Sequence, residues 1–399
     1  MERSTSRELA QEAALMPQEE MVEVEKKRES LFIGLPRETY LEEHRVALAP
    51  EAVALLVSNG HRVVVETNAG KDVNFQDKDY SEAGAEIVYE TEEVYKADIL
   101  FKVDPPTLKE IDMMKHRQTL FSALQLAVQP KDFLQRLMDK KITAIAWDFI
   151  KDKEDIFPIV RAMGEIAGNT SVLIAAEYLS STNNGMGIML GGISGVAPTG
   201  AGTVGEFATR AALGLGSSIK VFDNSTYRLR RLQNDLGIRL YTSVLQPNIL
   251  AQALKSADVV VGAVRGKGGR TPLVVTEQMV SEMKFGSVIV DVSIDMGGCI
   301  ETSEVTELSD PVFNKYGVTH YCVPNIASRV SRTASHALSN IFSPILTNIG
   351  EEGGVEELVK KDLGFRHGVY LYDGILTSKS LSEAFDLPYK DIDLLFASF

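Results

Sequence analysis

Cysteine is scarce in this chain of 399 residues, with Cys299 and Cys322 the only two. Two are too few for a disulfide framework and show no metal-ligand spacing, so the sequence predicts a reducing compartment and no bound metal. Positive charge is also in deficit: 41 Lys and Arg face 55 Asp and Glu, a formal net charge of −14. Such a surface repels phosphate backbones and anionic lipid headgroups, which disfavours nucleic acid and membrane partners. No apolar run approaches the ~18 residues of a membrane span, and the N-terminus carries no hydrophobic stretch of the signal-peptide kind. A cytoplasmic protein is the expectation. Low-complexity segments are missing too, as is any internal repeat beyond two similar α/β halves.

What is present is the balance of a globular protein, 44% hydrophobic and 24% charged, at a length that suits two domains. Residues 1–30 mix Glu, Lys and Arg around scattered apolar positions and predict a helical extension without chemistry. From Leu31 short apolar runs alternate with amphipathic stretches, the signature of a parallel sheet with crossover helices. Strands are expected at 31–35, 62–66, 86–89, 98–103, 119–123 and 142–147, and helices at 50–58 and 131–139. A long helix over 161–182 leads into a second α/β unit. That unit has strands at 218–223, 239–244, 257–264, 287–294 and 319–323, and helices at 203–215, 248–256 and 276–284. The pattern returns to helix over 331–349. The fold class is therefore α/β, with two Rossmann-like, doubly wound parallel sheets joined by long helices. The expected division is 31–160 with 335–399 as a discontinuous substrate domain, and 161–334 as the nucleotide-binding domain.

Gly200, Gly202 and Gly205, with Thr203 and Val204 between the last two, make a GxGxxG turn. Its first two glycines permit a tight turn and close backbone approach to a pyrophosphate, and the third permits close helix packing. The following helix N-terminus offers N–H groups and a positive dipole end. Asp223 ends the next strand about 20 residues on, where a carboxylate accepts hydrogen bonds from the adenine ribose hydroxyls. No arginine directly follows it to hold a 2′-phosphate, so NAD is expected rather than NADP. One part of the fingerprint is absent. Before Gly200 stands GGISGVAPT, with Pro198 two positions away, and the expectation is that no strand fits there. Omitting about five buried apolar residues would forgo roughly 8–15 kcal/mol. Ile188-Met189-Leu190 is the nearby apolar substitute, and weakened cofactor binding would follow.

Several stretches, in order from Leu31 to the C-terminus, resemble the alanine dehydrogenases and the related transhydrogenase NAD-binding subunit. They are Leu35-Pro36-Arg37-Glu38, Glu43-His44-Arg45-Val46-Ala47, Ile99 to Val103, Leu190 to Ile193, Gly200 to Gly205, Asp291 to Asp295 with Gly297-Gly298-Cys299, and Tyr321 to Asn325. Residues 165–171 do not match the Arg-Gln-Asp loop of transhydrogenase subunits, which favours the soluble dehydrogenase. The resemblance implies reversible oxidative deamination of L-alanine to pyruvate and ammonia by a closed homo-oligomer, a hexamer. It also implies that Arg45 holds the substrate carboxylate with its planar fork and that Lys102 binds the carboxylate or carbonyl oxygen. Asp295 would activate water or stabilise an iminium charge, and Asn325 would border the nicotinamide. Gln125 departs from the pattern, because the family carries an acid/base histidine there and glutamine cannot exchange a proton. On that reading Lys102 or Asp295 manages the proton. The rival expectation is a non-catalytic subunit of the same fold. The remaining histidines, including His44, His61, His116 and His320, are expected to be structural or solvent-exposed.

Overall fold

The computed structural model describes residues 29–396 apart from 41, 126–128, 131, 192–194, 200 and 267–270. The predicted extension and Gly200 thus lie outside the described residues. The first sheet contains β1 (Phe32–Leu35), β2 (Arg62–Glu66), β3 (Glu86–Val88), β4 (Ile99–Phe101), β5 (Thr119–Ser122) and β6 (Thr143–Ala146). From the far end of the chain come β14 (Val369–Tyr372) and β15 (Ile375–Leu376), and the strand order is β15-β14-β6-β5-β4-β1-β2-β3. β1 to β6 are parallel, whereas β14 and β15 add antiparallel at one edge. Buried Val63, Val64 and Val65 of β2 show why these strands are runs of apolar residues: crossover helices cover both faces.

The second sheet holds β7 (Gly195–Thr199), β8 (Ser218–Phe222), β9 (Tyr241–Ser243), β10 (Val259–Gly262), β11 (Val288–Asp291), β12 (Val312–Lys315) and β13 (Val318–Tyr321), in the order β12-β13-β11-β10-β7-β8-β9. All neighbours are parallel except β12 with β13. β7 corrects the expectation of a missing strand. Gly195–Thr199 pairs with β10 from Val196↔Val259 to Thr199↔Gly262, and with β8 at Gly195, Val196 and Thr199. Pairing with β8 skips Ala197 and Pro198. Proline has no N–H to donate to a ladder, yet a gap between β8 and β10 would strand the backbone groups of both neighbours. Filling the slot with an imperfect strand is the smaller cost, and Ile188-Met189-Leu190 is not used for it.

Chain order reverses between β1 and β4 in the first sheet and between β7 and β10 in the second. Such a switch point is where the carboxyl ends of parallel strands open a crevice. Helix α1 (Pro158–Leu179) joins the sheets and packs on α2 (Thr203–Gly214), the helix that follows the glycine turn. The contact is close: a Cβ added to Gly168 would lie 2.4 Å from the Val204 carbonyl oxygen and 2.8 Å from Phe207 Cβ. A third long helix, α3 (Ser331–Glu352), crosses the first domain. Its Ser335 Oγ accepts the Val46 N–H at 2.9 Å, and its Ser339 Oγ accepts that of Ala49. Residues four apart share one helix face, so these hydroxyls form a column that fixes the segment carrying Arg45.

Candidate active site

The segment after β1 supplies Glu38, Glu43 and Arg45, and the end of β4 supplies Lys102 and Asp104, so these residues flank the first switch point. Gln125 follows β5. From the second sheet, Ala201 and Gly202 follow β7, Asp223 follows β8, Asp295 lies just past β11 and Asn325 just past β13. Contacts from Asn325 and Ser328 to the segment after β1 join the two sets.

Arg45 is buried, and its fork is already engaged. Nε donates to Glu43 Oε1 at 2.7 Å and Nη2 to Glu43 Oε2 at 2.5 Å, while Nη1 meets Met163 Sδ at 3.4 Å. Glu43 also accepts the Arg45 backbone N–H at 2.9 Å and Asn325 Nδ2–H at 2.8 Å. Asn325, in the left-handed region at φ 52°, donates its own N–H to Asp295 Oδ1 at 2.7 Å. A hydrogen-bonded line therefore runs from Asp295 through Asn325 to Glu43 and Arg45. Protein crowding pushes the Asp295 carboxyl up, opposed by the Asn325 N–H and the Arg45 charge. The Asp295 turn is held by buried Asp291, which accepts from the N–H groups of Ser293 and Cys299 and from Ser303 Oγ–H.

Lys102 is 1% exposed, with Nζ 2.9 Å from Glu110 Oε1 and 3.2 Å from Glu38 Oε2. Burial opposes its charge, but the two carboxylates outweigh burial and hold its pKa up. Burial pushes the Glu38 carboxyl up to about 7 against the pull of Lys102, while Glu38 Oε1 accepts the Val103 N–H at 2.6 Å. Glu110 serves twice, since it also closes a capping box with Thr107. Neither Glu110 nor Asp104 figures in the sequence reading. Thr107-x-x-Glu110 is a legible capping signal, but its pairing with Lys102 depends on the turn of chain between them. Gln125, at φ 40°, donates from Nε2 to Asp104 Oδ1 at 2.6 Å. His320 is buried against Thr302 Oγ1, and His61 Nδ1 accepts the Leu31 N–H, both structural placements.

The nucleotide side fits a dinucleotide. Gly202 is the N-cap of α2, and among the described residues a Cβ built on it would meet nothing within 4 Å, so a ligand has room beside the cap of the helix whose first-turn N–H groups are unpaired. Thr203, Val204 and Gly205 form that first turn. Asp223 Oδ2 accepts the Ala201 N–H at 2.8 Å and Oδ1 the Ser225 N–H at 2.7 Å, tying the glycine turn to the carboxylate at the end of β8. Each oxygen keeps a further lone pair for a hydroxyl. No arginine directly follows Asp223 in the chain, but in the fold Arg228 Nη1 lies 3.8 Å from Oδ2. It lies on the following helix (Thr226–Leu236), where spacing from the strand end conceals it.

Residues 34–167 match the family model described as Alanine dehydrogenase/PNT, N-terminal domain, and 171–379 match Alanine dehydrogenase/PNT, C-terminal domain. The chain belongs to the alanine dehydrogenase/PNT family. Among members of this family, Alanine dehydrogenase 2 of Staphylococcus aureus (strain USA300) is 39% identical over 367 residues, covering 90% of this chain and 98% of that protein. A solved L-alanine dehydrogenase superposes with a TM-score of 0.84 at 33% identity, over 89% of this chain and 99% of the other. The transhydrogenase from Sinorhizobium meliloti shares the fold, with a TM-score of 0.74 at 23% identity over 87% and 99% of the two chains.

Proposed function

We propose that this chain catalyses the reversible, NAD-dependent oxidative deamination of L-alanine to pyruvate and ammonia. The observation that carries the proposal is the meeting of two switch points. Arg45 at one sheet is joined through Glu43 and Asn325 to Asp295 at the other; Lys102 shares the first switch point with Arg45, and the second sheet carries a helix N-terminus that fits a dinucleotide. NAD, when bound, supplies the acceptor for the hydride leaving the alanine α-carbon.

The protein residues do the rest. The backbone at Ala201 and Gly202 and the start of α2, with Thr203, Val204 and Gly205, hold the pyrophosphate, and Asp223 orients the ribose. Gly200 belongs to the same turn. Arg45 uses the N–H groups not spent on Glu43 to grip the substrate carboxylate, and the third N–H of Lys102 Nζ polarises the carbonyl oxygen. Asp295 faces the positive charge that develops at the imine nitrogen. Asn325 sets the distance between the two sets of groups, and Gln125 positions a neighbour in the way argued below. A domain division at 31–160 with 335–399 against 161–334 accords with these placements.

Reduction of NAD on adding L-alanine, and oxidation of NADH with pyruvate and ammonia, tests the proposal; absence of both overturns it. That outcome would favour a non-catalytic subunit, a reading supported by carboxylates already occupying Arg45 and Lys102 and by the proton-inert Gln125. The resemblance to the alanine dehydrogenases supports a closed homo-oligomer, a homohexamer, and light scattering showing a monomer would refute it. No helix among the described residues is long and apolar enough to cross a membrane. The proposed location is the cytoplasm.

A further inference from the structure

Deamination needs a group that takes a proton from water and returns it to nitrogen. Lys102 is a poor carrier, since Glu38 and Glu110 hold its proton in place. Gln125 has no proton to exchange in the accessible range. Its amide does, however, donate to Asp104 Oδ1 at 2.6 Å, and among the described residues Asp104 Oδ2 has no hydrogen-bond partner. Asp104 is 7% exposed, two residues past Lys102 at the switch point.

Resting on the alanine reading above, we infer that Asp104 is the proton-carrying catalytic residue and that Gln125 is its positioning residue. In the deamination direction, the Asp104 carboxylate takes a proton from the water whose oxygen bonds to the iminium carbon. The neutral carboxyl then gives that proton to the amino nitrogen. The carbon–nitrogen bond breaks with its electron pair on nitrogen, and the hydroxyl proton returns to Asp104 as the carbonyl forms. From the iminium, pyruvate, ammonia and one proton result, and Asp104 releases that proton to solvent.

The surroundings suit a carrier working near neutrality. Burial and the neighbouring Glu43 push the Asp104 carboxyl up, Arg45, the Gln125 amide and Lys102 pull it down, and it is left at about 6. Glu38 and Tyr40 are the other titratable groups in its field. Glu38 at about 7 and Asp148 at about 6 titrate in the same range, so the assignment must come from Asp104 variants and not from the wild-type profile alone.

The test is kcat/KM for alanine from pH 5 to 9 in wild type, Asp104→Asn, Asp104→Glu and Gln125→Ala, with folding followed by circular dichroism and NADH binding by fluorescence. Asp104→Asn should lose about 10²–10⁴-fold in kcat/KM while binding NADH normally, and should lose the acid limb of the profile. Asp104→Glu should recover part of the rate with a displaced limb. Gln125→Ala removes a donor to the charged form and should move the limb to higher pH, which a packing defect would not do. An active wild type whose profile survives Asp104→Asn would overturn this inference alone. A wild type inert toward alanine would overturn the alanine reading and the inference with it.

Discussion

Replacing Glu43 by Gln removes one charge from a site where nothing else faces Arg45 so directly. The two side chains are 0% and 4% exposed, and Glu43 accepts from Arg45 Nε, Nη2 and backbone N–H and from Asn325 Nδ2. Glutamine keeps one acceptor oxygen, while its amide nitrogen would turn N–H groups toward donors on Arg45 or Asn325. Breaking a buried pair from one side leaves an uncompensated charge and costs about 3–5 kcal/mol. For a unit of this size each kcal/mol moves the midpoint by about 2–4 °C, so a Tm fall on the order of 10 °C is expected. Two further measurements separate charge from shape. Pyruvate, an anion able to face Arg45, should restore more Tm in Glu43→Gln than in wild type. Adding Arg45→Met to Glu43→Leu should recover much of the loss, because an apolar pair of similar volume is tolerated where half an ion pair is not. Thermal unfolding by circular dichroism reads all of these. A Glu43→Gln protein within about 0.5 kcal/mol of wild type, with no added response to pyruvate, would refute the claim that Glu43 is the carboxylate that compensates the buried Arg45 charge.

Other outcomes are equally specific. Burial raises Glu38 from 4.5 to about 7, so its contribution to stability is full below pH 4.5 and is lost as pH rises through 7. The stability of Glu38→Gln relative to wild type should therefore climb by up to about 3 kcal/mol over that window, and a flat difference in urea unfolding would exclude the shift. Asp223→Ala should weaken NADH binding by about 10–100-fold through loss of its charged acceptor. It should also narrow the gap to NADPH by more than repulsion alone predicts, since Arg228 is released; tighter NADPH than NADH binding by the wild type would contradict NAD preference. Inserting Val-Val-Ile-Val-Ile between Thr199 and Gly200 should reduce NADH affinity, because β7 already fills the sheet and added residues would push the glycine turn away from Asp223; improved affinity would show that β7 is inadequate.

The chain's local patterns settle a good deal by themselves. Apolar runs such as Arg62–Glu66 and Val259–Gly262 are strands because only a sheet covered on both faces buries them, and amphipathic stretches between them are the crossover helices. Spacing picks out the glycine turn and Asp223 as candidates, and the resemblance to the alanine dehydrogenases picks out Arg45, Lys102, Asp295 and Asn325. The failure at Gly195–Thr199 is instructive. Its proline argues against a central strand on local grounds, but the neighbours β8 and β10 present backbone groups that must be paired, and that demand is invisible in the segment itself. Likewise the sequence shows that Arg45 and Lys102 are cations but not that Glu43, Glu38 and Glu110 neutralise them. Nor does it show that Gln125 meets Asp104, or that Asn325 reaches across to Glu43. Glu38 with Lys102, Gln125 with Asp104 and Asn325 with Glu43 come from different strand ends, brought together by strand order, whereas Glu43 meets Arg45 and Glu110 meets Lys102 through the local course of the chain. Hydrophobic periodicity, turn chemistry and motif spacing are properties of neighbours along the chain, so the sequence by itself determined the α/β class and the residues able to do chemistry. Which charges face one another depends on the path of the chain in space and on contacts between distant segments, and those only the tertiary structure decided.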